Sequence, residues 1–213
     1  MGYGSFMHLL DGLNPSQTQA VEEISNHVLV VAGAGSGKTR VLTRKIAYLM
    51  EVGRIRPYQI LAMTFSNKAA SEMRERIIHM LPNQEQPRAI GTFHATCLRI
   101  LKEFHEAAGL APHFSIYDTS DQTVVIKKAI DQLGGDPKQF LPKVLLAQLD
   151  RAKNETMAPI PFLRNSQRLT DKAVDILSRY EDILKENSAV DFGSLMTKTL
   201  ELLKNNPSSH SKQ

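Results

Sequence analysis

Cysteine is almost missing from this chain: Cys97 stands alone among 213 residues. An internal disulfide and a cysteine-built metal cluster are excluded, and a reducing compartment, the cytoplasm, is the expectation. Long apolar runs are missing too, since no stretch approaches the roughly 20 residues needed to cross a bilayer. The opening from Met1 to Leu10 has neither the basic region nor the long apolar core of a secretory leader. Phe6 stands where a myristoylation pattern opened by Gly2 needs Ser or Thr. A strong excess of one charge is also lacking. The net charge of +4 is compatible with a polyanionic partner without requiring one. Hydrophobic content of 42% and charged content of 23% are ordinary for a globular protein, and the length suits one large domain or two small ones.

What stands out is the stretch from Val28 to Arg40. Val28, Leu29, Val30 and Val31 read as a short, fully buried strand. Ala32, Gly33, Ala34, Gly35, Ser36 and Gly37 form a glycine-rich turn. Lys38 and Thr39 then open a run with apolar residues at Val41, Leu42, Ile46 and Leu49, which is helical spacing. Strand, glycine loop, Gly-Lys-Thr and helix together make a phosphate-binding loop. Its backbone N–H groups turn inward on phosphate oxygens, and the helix N-terminus adds partial positive charge. Lys38 is placed to reach the β/γ-phosphates and the Thr39 hydroxyl to ligate Mg²⁺. Ala32 replaces the first glycine of the strict pattern, which is harmless if the backbone there does not need positive φ.

The rest alternates. Asn14 caps a helix with Pro15 at its first position, and Gln17 by itself reads as a solvated residue of that helix. The phosphate-loop helix is expected to close at Gly53 in a left-handed cap. Residues 60–65 form a second strand, a helix capped by Ser66 or Asn67 follows to Leu81, and residues 89–93 form a third extended segment. A helix from His94 runs to about Ala108 and Gly109. Strands alternating with helices imply a parallel sheet, with strand ends at Thr64-Phe65 and Thr92-Phe93 sharing the rim with the phosphate loop. After Pro112 come a short extended run at 114–118, a helix boxed by Thr119 and Gln122, and a helix opened by Asp136 and Pro137. A loop carrying Pro159 and Pro161, a long helix 171–187 capped by Thr170, and a last helix 191–204 complete it. The fold class is therefore α/β. A phosphate-loop, RecA-like but incomplete parallel sheet (1–110) is followed by a mostly helical subdomain (111–190), a returning helix (191–206) and a polar tail (207–213).

In order and spacing these motifs resemble the UvrD/PcrA/Rep family of superfamily 1 DNA helicases. Leu13-Asn14-Pro15-Ser16-Gln17 looks like the family's Q motif, whose glutamine reads the adenine edge. Residues 32–40, with alanine first and Arg40 after Thr39, are similar to motif I. Residues 61–76 resemble motif Ia, and Gly91-Thr92-Phe93-His94 the next DNA-contacting motif. Residues 116–122 and 190–195 look like the segments bounding subdomain 1B. The resemblance implies an ATP- and Mg²⁺-dependent enzyme translocating three-prime to five-prime on single-stranded DNA or single/double-strand junctions, in repair or replication. It places ATP on Gln17 and residues 32–40, and DNA on Thr64, Phe65, Asn67, Lys68, Thr92, Phe93 and His94. Read without the family, Phe65 and Phe93 belong to a core under the sheet rim, His94 to an ordinary hydrogen bond, and Cys97 to packing beside Ile100, Leu101 and Phe104.

One part of the family pattern has no counterpart. Its Mg²⁺-holding acid and neighbouring Glu lie in an Asp-Glu-x-x-Asp run after an apolar strand, and no such run occurs in these 213 residues. The expectation is an amino-terminal piece that does not hydrolyse ATP by itself. The alternative is a truncated homologue that binds nucleotide or DNA only. An unrelated phosphate-loop kinase needs an arginine-bearing lid, for which Arg164 and Arg168 are too little.

Overall fold

The computed structural model describes residues 7–205, which divide into two packed units between Thr96 and Cys97. The first contains α1 (Pro15–Glu22), α2 (Lys38–Glu51), β1 (Leu61–Thr64), α3 (Asn67–Met80), β2 (Ala89–Thr92) and the start of α4 (Phe93–Glu103). β1 and β2 run parallel in register from Leu61 opposite Ala89 to Thr64 opposite Thr92. The core beneath them joins Val21 of α1, Ile46 and Ala47 of α2, Met73 and Ile77 of α3, and Ile90 of β2.

Residues 28–31 are not a strand. They have no regular structure, and Leu29 and Val31 are 89% and 87% exposed. A strand exists only through hydrogen-bonded neighbours, and among the described residues β1 and β2 pair with each other alone. The expected three-stranded arrangement is thus a two-stranded one in this unit. Gly53 is not the left-handed cap of α2 either: Arg54, at φ 56°, takes that conformation. The Gly53 N–H bonds Tyr48 O and the Ile55 N–H bonds Leu49 O, so the helix closes around the following residue.

The second unit contains the rest of α4, β3 (Ser115–Tyr117), α5 (Thr119–Gln132), α6 (Pro142–Glu155), α7 (Pro159–Ser166), α8 (Asp171–Glu186), β4 (Ala189–Asp191) and α9 (Phe192–Asn205). β3 and β4 pair in parallel, Ser115 opposite Ala189 and Tyr117 opposite Asp191. Ile126 and Ile130 of α5, Leu149 of α6, and Ile176, Leu177 and Tyr180 of α8 form its main core.

Four helix boundaries differ from expectation, each for a local reason. α4 stops at Glu103, and turns closed by Gly109 (φ 65°) replace its expected last turn. The cap of α5 is Asp118, whose carboxylate accepts from Ser120 N and Asp121 N, while Asp121 bonds back to Asp118 N. α6 begins at Pro142, not Pro137, because a helix opened at Pro137 would hold Pro142 in its interior, where the ring clashes with the preceding turn. Pro159 and Pro161 both fall in the first turn of α7, where missing N–H groups cost nothing, so that stretch is helix rather than loop. The tail at 207–213 lies outside the described residues.

A buried ion network ties α6, α8, β4 and α9 together. Lys153, 5% exposed, places Nζ 2.8 Å from Asp191 Oδ2, Ser194 Oγ and Glu181 Oε1. Tyr180 donates its hydroxyl to Asp191 Oδ2, and Ser194 N–H donates to Oδ1. Burial alone would raise the Asp191 carboxyl, but Lys153 and the Ser194 bonds outweigh it and hold it below the ordinary range. Burial likewise opposes the Lys153 charge, and Glu181 and Asp191 overcome that and raise it. Burial, then the nearby Asp191 charge, pushes the Asp150 carboxyl up.

Candidate functional site

The phosphate loop is built on the N-terminus of α2. Gly35 and Gly37 are left-handed at φ 74° and 85°, conformations that glycine adopts without a Cβ penalty. Ala32 is not among the positive-φ residues, so its methyl group is compatible with the turn. Ser36 Oγ donates to Gly33 O at 2.7 Å, closing the loop. Lys38 folds back across it: Nζ donates to Ala32 O at 2.8 Å and to Gly33 O. Both partners are carbonyls, so the ammonium carries an uncompensated charge over a ring of main-chain groups. No side chain caps α2, and the Lys38, Thr39 and Arg40 N–H groups open its first turn, where an intrahelical partner is lacking. The donor set of one ammonium, the Ser36 and Thr39 hydroxyls and helix-terminal N–H groups therefore suits a phosphate with its divalent cation.

Gln17 reaches this loop. Its N–H donates to Asn14 Oδ1 at 2.9 Å and its Oε1 accepts from Asn14 N at 3.0 Å, a reciprocal capping box. The remaining amide donates through Nε2 to Ser36 O at 3.1 Å. Gln17 is thus not the merely solvated residue that the helix pattern suggests; one side chain fixes the start of α1 and its approach to the loop. A Cβ on Gly37 would stand 3.3 Å from that same Nε2. Arg40 donates through Nη2 to Asp11 O at 3.2 Å.

A second set of residues gathers at the end of the β1–β2 pair. The register puts Thr64 opposite Thr92, so Phe65 and Phe93, one residue on, become neighbours. Their ring centroids are 5.5 Å apart with planes tilted by 55°. Phe65 is 96% exposed, which overturns core packing for its ring; Phe93 is half-buried beneath it. Thr64 Oγ1 donates to Ser66 O, and Ser66 Oγ accepts from Ala69 N to cap α3. Asn67 and Lys68 stand exposed in the first turn of α3. Thr92 Oγ1 accepts from Ala95 N at the start of α4, and His94 lies half-buried in that turn. The phosphate loop is not an extension of this sheet, because the strand expected to connect them is absent.

The profile of the UvrD/REP helicase N-terminal domain family matches residues 13–213. The chain is 43% identical over 195 residues to the ATP-dependent DNA helicase PcrA of Bacillus subtilis, covering 91% of this chain and 26% of that protein. It is 42% identical over 202 residues to the ATP-dependent DNA helicase UvrD1 of Mycobacterium bovis, covering 92% and 26%. Against the PcrA helicase of Staphylococcus aureus the identity is 37% over 200 residues, with 93% and 27% covered. The chain thus spans about a quarter of the length of these relatives. With its motifs in family order and the match running through both packed units, the chain belongs to the UvrD/REP helicase N-terminal domain family.

Proposed function

We propose that this chain is the nucleotide-binding, single-strand-contacting part of an ATP-dependent DNA helicase or translocase of the UvrD type. The observation that carries the reading is the convergence of Gln17 and Lys38 on one glycine loop at the N-terminus of α2. In this reading residues 1–110 are the incomplete RecA-like subdomain 1A, residues 111–190 are subdomain 1B, and 191–206 return toward 1A. With nucleotide bound, Lys38 would exchange its two carbonyl partners for β/γ-phosphate oxygens, and the N–H groups of residues 33–39 would face the same phosphates. Ser36 and Ala34 shape the loop, Thr39 would hold Mg²⁺, and Gln17 and Arg40 would flank the base. Bound MgATP supplies the phosphoryl group whose transfer to water drives movement along DNA.

Phe65, stacked on Phe93, offers a base a sequence-tolerant aromatic face, while Asn67, Lys68 and the helix N-terminus behind them suit backbone phosphates. Thr64, Thr92 and His94 border that strip. Three-prime to five-prime movement, single/double-strand junctions as substrates, work in repair or replication, and a cytoplasmic location are the finer parts of the proposal, and they rest on the motif resemblance alone. Calorimetric titration with MgATP tests the core of it. Lys38→Ala is expected to abolish binding that the unsubstituted chain retains; equal binding by both proteins would refute the assignment.

A further inference from the structure

A narrow groove of about 270 Å³ opens on the second unit, where the segment leading into α6 meets the start of α8. Its lining is apolar: Phe140, Leu141, Val144 and Leu145 from the first segment, Leu169 and Ala173 from the second. Phe140, Leu145 and Ala173 belong to the core, but Leu141 and Val144 stand 51% and 50% exposed. Leu141 also holds the N-cap position of α6 and gives the helix no side-chain bond there. Leucine is among the poorest residues for that position, and Ser, Thr, Asp and Asn are the best. An exposed apolar residue that breaks a local rule points to a role beyond folding. The rim is basic. Arg168 lines the groove, and Lys138 and Lys143 flank its lining residues in the chain. Lys172 places Nζ 6.0 Å from the centre of the Phe140 ring while donating to Gly134 O at 3.0 Å. None of these four cations forms an ion pair among the described residues. The carboxylates in the same stretches, 136–145 and 167–173, are Asp136 and Asp171 alone.

We propose that this groove docks an acidic amphipathic helix of a partner protein. Large aliphatic side chains from one face of that helix enter beside Leu141, Val144 and Leu169, and flanking Asp and Glu residues meet Arg168, Lys143 and the uncapped N-terminus of α6. Charge complementarity selects this occupant. Apolar walls take anchors spaced i, i+3 and i+4, and a rim of unpaired cations takes carboxylates. The volume falls below the about 300–1,000 Å³ of small-molecule pockets, so it suits anchoring side chains rather than a whole ligand. Nucleic acid fits less well, because the one aromatic ring in the lining, Phe140, is buried and offers a base nothing to stack on. The net charge of +4 makes a second copy of the chain the poorer match as well.

The test titrates the isotopically labelled 213-residue chain with a synthetic helical peptide and follows amide NMR shifts. The probe has 14 residues, the length of α6, with leucines at i, i+3, i+4 and i+7 and glutamates among alanines elsewhere. Saturable binding is expected, with shifts gathered at residues 139–145 and 168–173. Val144→Glu should abolish it, and Lys143→Glu or Arg168→Glu should weaken it about tenfold each. All three positions are exposed, so thermal unfolding should stay unchanged. A peptide with lysine in place of every glutamate should not bind. The proposal is overturned if the glutamate peptide gives no saturable shifts at those residues, if the glutamate and lysine peptides bind alike, or if the Val144→Glu chain binds as tightly as its parent. It is equally overturned if an oligothymidylate moves the same amides and the peptide does not displace it, which assigns the groove to nucleic acid. A dimer in sedimentation that Val144→Glu dissociates would assign it to a second copy and overturn it too.

Discussion

Replacing Lys153 by methionine isolates the largest electrostatic commitment in the second unit. The methionine keeps most of the apolar stem that packs between α6 and α8 but removes the ammonium. Asp191, 1% exposed, is then left charged with the Tyr180 hydroxyl and the Ser194 N–H and hydroxyl as partners. Glu181 is less affected, because its side chain is 23% exposed and can turn to water. Removing one member of a buried pair costs about 3–5 kcal/mol, mostly as the penalty of the orphaned charge. Set against a stability of about 5–15 kcal/mol for a typical domain, that loss is severe. Urea unfolding followed by circular dichroism, with hydrogen exchange at α8 amides to localise the effect, measures it. If the orphaned charge is the cause, adding Asp191→Leu should restore much of the loss. A Lys153→Met cost below about 1 kcal/mol, or a double variant no better than the sum of its single changes, would refute the reasoning.

The same network sets a pH window. The Asp191 carboxyl is depressed in the folded state, so its contribution is present above the unfolded carboxyl value of about 3.9 and is lost as pH falls through its lower folded value. Lys153 is raised, so its contribution is complete below about 10.4 and is lost as pH rises through the folded value. Asp150, raised by burial and by Asp191, works in the opposite sense at the acid end. Stability of the second unit should therefore hold a plateau between about pH 5 and pH 10, and Asp191→Asn should flatten the acid limb. An unchanged acid limb in Asp191→Asn would show that another carboxylate controls it.

Other expectations rest on single contacts. Asn14→Ala should cost about 1 kcal/mol of stability by opening the capping box, and should also weaken MgATP binding by freeing Gln17; thermal unfolding and titration read the two effects separately. Gly37→Val should abolish nucleotide binding, since φ 85° strains a branched side chain and its Cβ meets Gln17 Nε2 at 3.3 Å; retained affinity would contradict it. On the proposed reading, Phe65→Ala should weaken single-strand binding by about 1–3 kcal/mol while leaving the melting temperature of this chain unchanged, because the ring is already solvent-exposed. Phosphate release by the 213-residue chain should not rise above a Lys38→Ala control, because the acid that holds Mg²⁺ has no counterpart in it and supplied arginines are worth roughly 10³–10⁵ in rate in related hydrolases.

Features closed within three or four residues were legible in the amino-acid order. The Asn14 cap with Pro15, the Ser66 and Thr170 caps, the glycine turn and the amphipathic faces of α2 and α8 all satisfy their hydrogen bonds or burial locally, so a short window contains the cause. Family order suggested the proposed roles of Gln17 and Phe65, which composition alone assigns to solvent and to core. Tertiary structure decided whatever depends on distant partners. Residues 28–31 carry the composition of a buried strand, yet a strand is a property of two segments, and no described segment pairs with them. Thr64 and Thr92 become neighbours only through the parallel register, which brings Phe65 onto Phe93. Lys153 looks like a solvated helix residue until Asp191, 38 positions later, arrives beside it. Helix caps are satisfied by the nearest atoms of the chain, whereas strand pairing and buried charge are satisfied by atoms that only the folded path brings together, as Lys153 Nζ to 2.8 Å from Asp191.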